Sequence, residues 1–147
     1  TDRIRKLLSK GSKVLYFTDN AGEIVFDTLL IKELNRFDVH LTLVVKGEPI
    51  LMDVTMDDVK TLGLDRLVDE VETTNAFAVG VDLSKITPSL KKKLERADLI
   101  ISKGMANWES FSDENYSPIA YLLRTKCGPV ASGLGVEKEM NVAKLCE

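Results

Sequence analysis

Asp19 and Asn20 put a carboxylate and an amide carbonyl side by side, with Gly22 and Glu23 close behind. Hard divalent cations such as magnesium take oxygen ligands, and this pair supplies two. The same residue types also cap helices well, so capping is the plainer use of the pair. Asp53 follows a second apolar run and would complete a trio of oxygen donors if it reaches the same edge of the fold. Water and substrate oxygens would fill the remaining positions of such a shell. Lys103 and Gly104, with Asn107 and Glu109 shortly after, offer an ammonium, a backbone amide and a side-chain amide. That combination suits a phosphate group. Lys46 and Lys126 are further candidates, although for any single lysine an exposed, solvated charge is the simpler account.

Other chemistries find less support. Asp19 is not followed by the second aspartate of an Asp-x-Asp phosphatase, and neither a Gly-x-Gly-x-x-Gly nor a Gly-x-x-x-x-Gly-Lys-Ser/Thr loop is present. His40 is the only histidine and lies inside an apolar run, which argues against a histidine triad or a zinc site. Cys127 and Cys146 follow no metal-ligand spacing, and Cys127 is expected to be a small buried residue. Trp108 is expected to pack or to wall a pocket.

The elements that would position these side chains alternate along the chain. Residues 13–18 (KVLYFT) read as a buried strand that delivers Asp19 at its carboxyl end. A helix from Glu23 to near Phe37 follows, then a second strand at residues 39–45. Thr55 and Asp58 have the spacing of a capping box, opening a helix to about Leu62. The stretch from residue 67 to residue 81 is poorly patterned, with a short strand expected at 68–72. Thr87 and Pro88 cap a helix over residues 89–96, whose lysines Lys91, Lys92 and Lys93 are expected to face water. Residues 98–102 (DLIIS) form a further strand ending at Lys103, and residues 119–125 favour a strand over a helix. The expectation is an α/β fold in three layers: a doubly wound, mostly parallel sheet with helices on both faces. In such sheets ligands bind beyond the carboxyl ends of the strands.

The chain has 147 residues, 44% hydrophobic and 29% charged, with a net charge of -3. That length suits one α/β domain over residues 1–147. Intermixed charges give no surface for nucleic acid, and no apolar run approaches the roughly 20 residues of a membrane span. No signal-peptide core follows the basic start, and the sparse cysteines fit a reduced compartment, so a cytoplasmic location is expected. Residues 1–10 read like the end of a helix that began earlier, and the chain is expected to be the C-terminal part of a longer protein.

Four ordered segments carry a family resemblance: FTDNAGEIVFD (residues 17–27), KGEPILMDVTMDD (46–58), ADLIISKGMANWES (97–110) and LLRTKC (122–127). Together they resemble the damage-control phosphatase family, in its stand-alone archaeal-type branch, over residues 13–136. The resemblance implies hydrolysis of phosphate monoesters of small metabolites, sugar phosphates or damaged phosphometabolites, with a divalent metal: magnesium, manganese, cobalt or nickel. It implies Asp19, Asn20 and Asp53 as metal ligands. Lys103, Gly104 and Asn107 match the phosphate loop, and Arg124 and Lys126 match the later basic segment. Asp19 and Lys103 would be catalytic, with the nucleophile either water or Asp19 itself. Family members usually carry a helical region before this domain, and association with that region would complete the pocket. The rival readings are a receiver-like, phosphorylation-dependent binding module and, more remotely, a methyltransferase. The receiver reading conflicts with the position of Asp19 after the first strand, and the methyltransferase reading lacks a glycine-rich loop there.

Overall fold

Alternate side chains along each strand enter two separate cores, which is what a sheet covered on both faces requires. The computed structural model describes residues 2–147. Val14 and Tyr16 of β1 (Lys13–Phe17) share one core with Leu41 and Leu43 of β2 (His40–Val45). Ile24, Ile31 and Leu34 of α2 (Ile24–Asn35) and Val59 of α3 (Met56–Leu62) cover them. Leu15 and Phe17 point the other way, with Ile100 of β4 (Leu99–Lys103) and Tyr121 of β5 (Ile119–Arg124). Their cover comes from α4 (Pro88–Leu94), α5 (Met105–Phe111) and α6 (Gly128–Leu134), through Leu90, Leu94, Phe111 and Val130.

The six-stranded sheet has the order β3-β2-β1-β4-β5-β6, where β3 is Glu70–Thr73 and β6 is Asn141–Cys146. All neighbours are parallel except β5 and β6. β1 pairs with β2 on one side, Phe17 opposite Val44, and with β4 on the other, Phe17 opposite Ser102. The chain therefore winds outward in both directions from β1 and β4. Their carboxyl ends flank the crevice where such folds bind ligands.

Local signals explain most boundaries. The Thr55 amide donates to Asp58 Oδ2 at 2.8 Å, and Gly63 ends α3 in the left-handed conformation. Thr87 Oγ1 accepts from the Leu90 amide at 3.0 Å, with Pro88 in the first turn of α4. Within residues 1–10, of which Thr1 lies outside the described residues, Asp2–Leu7 form the helix α1.

Four expectations need correction. The strand placed at residues 68–72 lies at Glu70–Thr73. β6 was not expected: its pattern is half-exposed because it pairs on one edge only. Lys93 does not simply face water but bridges Glu70 and Glu72 on β3. Cys127 is half-buried beside the second core rather than enclosed. Trp108 packs as expected, with its ring over Gly133 of α6. No helix among the described residues is long and apolar enough to cross a membrane.

Candidate active site

Asp19 leaves the end of β1 at the point where the winding reverses, and the loop after β2 is stitched back onto it. The Val54 amide donates to the Asp19 carbonyl at 2.9 Å, and the Ala21 amide to the Met52 carbonyl at 2.7 Å. An isolated antiparallel bridge pairs Asn20 with Asp53. The trio expected from sequence is therefore brought together by backbone bonds, independently of its side chains. Asn20 Nδ2 donates to Asp19 Oδ2 at 3.0 Å, which leaves its carbonyl oxygen for another partner.

From the other side comes the turn between β4 and α5. Gly104 has a φ of +79°, and a Cβ there would lie 2.2 Å from Asp19 Oδ2. Only glycine lets this backbone approach the carboxylate so closely. Burial raises the Asp19 carboxyl to about 6, aided by Asp53 and Glu23 and opposed by Lys126 and Lys103. Crowded carboxylates of this kind carry an excess of negative charge that a cation would neutralise. Among the described residues no three or more His, Cys, Asp or Glu side chains gather to hold a metal. A cation here would rely on two carboxylates and the Asn20 amide oxygen. That set suits magnesium-like ions, which bind through one or two carboxylates and keep several waters.

Lys103, the last residue of β4, is buried, and its Nζ lies 2.5 Å from Asp27 Oδ1 and in contact with Glu23 Oε1. Burial alone would lower its basicity, but the hydrogen bonds it donates to Asp27 and Glu23 outweigh it and hold the ammonium above its ordinary range. Burial likewise pushes the Asp27 carboxyl up, against the pull of Lys103. Asp27 escaped the reading of the sequence. Its signal was its spacing of four from Glu23, which sets both carboxylates on one helix face.

Three expected phosphate contacts take other roles. The Gly104 amide continues the sheet by donating to Leu122 at 3.1 Å, so the free first-turn amides beside the cavity are those of Met105 and Ala106. Asn107 is buried and donates both amide hydrogens to backbone, to Thr18 at 2.9 Å and Lys103 at 2.8 Å. It fastens β1 to the β4–α5 turn. Lys46 turns away toward Asp53 and the carbonyls of Ala78 and Gly80. Lys126 and Arg124 do line the cavity, Arg124 being paired with Glu139 at 3.0 Å.

The cavity holds about 490 Å³. Asp19, Asn20, Asp53 and Lys103 are among its polar lining, and Leu51, Val79 and Met105 among its apolar lining. Burial, convergent polar groups and a raised carboxyl at the switch point mark this cavity as the candidate site of the doubly wound domain.

Residues 1–142 match the damage-control phosphatase ARMT1-like domain, and the chain belongs to that family. It is 48% identical over 147 residues to a damage-control phosphatase of Archaeoglobus fulgidus, spanning all of this chain and 50% of the relative. A damage-control phosphatase of Pyrococcus horikoshii is 36% identical over 132 residues, 89% of this chain and 46% of that protein. A crystal structure described as a DUF89 family protein from P. horikoshii superposes with a TM-score of 0.92 at 34% identity, over 98% of this chain and 50% of the other. The chain thus spans about half the length of the curated relatives it matches.

Proposed function

We propose that this chain carries the site of a divalent-metal-dependent phosphatase acting on phosphate monoesters of small metabolites. The observation that supports it most is the convergence, at the β1–β4 switch point, of Asp19, Asn20 and Asp53 with the buried ammonium of Lys103. Asp19, Asn20 and Asp53 would hold the cation, which when bound supplies charge neutralisation for the transferring phosphoryl group. Lys103 faces the same cavity and would take phosphoryl oxygens, its ammonium aimed by the buried Asp27. A phosphate entering there would share Lys103 with Glu23, the more exposed of its two partners. Lys126 and Arg124 add positive charge at the rim. Hydrolysis adds water across the P–O ester bond and releases an alcohol and inorganic phosphate. Positioning and electrostatics carry such a reaction, because little covalent work falls to the protein.

The test is phosphate release from a panel of sugar phosphates and an aryl phosphate, with magnesium, manganese, cobalt or nickel added in turn, for the wild type and Asp19→Ala. Metal-dependent release that falls by about a thousandfold or more in the variant is expected, as for loss of a transition-state electrostatic partner. Stoichiometric phosphorylation without turnover would instead support a binding module.

A further inference from the structure

Lys46 is the one lysine at this edge that the proposed chemistry leaves unused. It follows directly on β2, and its side chain is 5% exposed. A buried ammonium is costly unless it is paired and hydrogen-bonded. Its Nζ donates to the carbonyl of Ala78 at 3.1 Å and to that of Gly80, and lies 3.4 Å from Asp53 Oδ2.

Those two carbonyls flank Val79, which is 60% exposed and lines the cavity. The segment around it has few other ties. Among the described residues, no backbone-to-backbone hydrogen bond involves residues 75–80, and Lys46 supplies the side-chain hydrogen bonds that reach them. The segment is fixed at its ends, by the Thr74 amide on Val45 at 2.9 Å and the Val81 amide on Ser110 Oγ at 2.8 Å. Gly80, with a φ of +72°, sits so close to α5 that a Cβ would meet the Ala106 carbonyl at 2.5 Å.

We infer that Lys46 is a positioning residue that fixes the apolar wall for the leaving group: it clamps the carbonyls on either side of Val79, with Asp53 as its counter-charge. This rests on the function proposed above for the existence of a leaving group. Val79, Leu51 and Met105 line the same cavity as Asp19, Asp53 and Lys103, so they favour esters whose leaving group presents an apolar face, such as an aryl ring.

The experiment combines the rate of chymotryptic cleavage after Phe77, which is 65% exposed, with the ratio of kcat/KM for an aryl phosphate to that for glycerol phosphate. The ratio cancels any uniform effect transmitted through Asp53. In Lys46→Met, cleavage at Phe77 quickens about tenfold or more while cleavage elsewhere is unchanged, and the ratio falls about fivefold. Val79→Ala lowers the ratio similarly without disturbing Lys46. If Lys46→Met loosens the whole sheet, Lys46→Gln, which keeps a neutral donor, is read in the same two ways. Unchanged cleavage in a folded variant, or a loosened segment with an unchanged ratio, overturns the inference. A wild type that hydrolyses neither ester counts against the proposed function and against a leaving-group wall. Faster cleavage at Phe77 in Lys46→Met would then leave Lys46 as a loop anchor alone.

Discussion

Lys103 and Lys93 make the same pattern, one ammonium between two carboxylates, at opposite levels of burial. Lys103 joins Glu23 and Asp27 at the switch point, where its own side chain is 8% exposed and that of Asp27 7%. Lys93 joins Glu70 and Glu72 across the edge strand β3, where Glu70 is 41% exposed. Water screens the second cluster and reaches the first through Glu23, 42% exposed, but barely touches the Lys103–Asp27 pair. A surface cluster adds little to stability. A buried one is not favoured over apolar residues of the same volume either, because desolvation offsets the attraction. The presence of a buried ammonium at the ligand-binding edge of the sheet is therefore better explained by what the cavity needs than by the stability of the fold.

Breaking each cluster separates these accounts. Asp27→Ala leaves Lys103 buried with Glu23 alone and should cost about 3 kcal/mol or more in urea unfolding. The paired replacement Lys103→Met with Asp27→Leu should recover most of that loss, to within about 1 kcal/mol of wild type, yet release no phosphate. Recovery of both stability and turnover would show the cluster to be structural.

At the other cluster, Lys93→Ala should cost at most about 1 kcal/mol, less in high salt, with turnover unchanged. A pH series sharpens the point. Hydrogen bonds from Lys93 and His40 hold the Glu70 carboxyl below its ordinary value of 4.5. Its folded value is the depressed one, so its contribution is present above about pH 4.5 and is lost as the pH falls through the folded value. The difference between wild type and Lys93→Ala should shrink over that acidic range. A difference that grows there would reverse the assignment.

The sequence made the inner sheet legible because β1, β2, β4 and β5 are short apolar runs ending in turn chemistry, and their order places Asp19 and Lys103 on one edge. The edge strands were harder to read. β3 and β6 each pair on a single side, so their burial is partial and the alternation weak. Within the site, residue type at a strand end was informative, but side-chain direction was not. Lys103 ends β4 and Lys46 follows directly on β2, and only the packing of residues 75–80 turns one toward a loop while α2 draws the other to Asp27. Asn107 and the Gly104 amide looked like anion donors, and backbone carbonyls that no sequence pattern reveals take them up.

The most direct test of the central claim is a calorimetric titration of the wild type and Asp19→Ala with manganese. The arrangement of Asp19, Asn20 and Asp53 predicts one site per wild-type chain and its loss in the variant. Equal binding by both, with the variant folded, would contradict it.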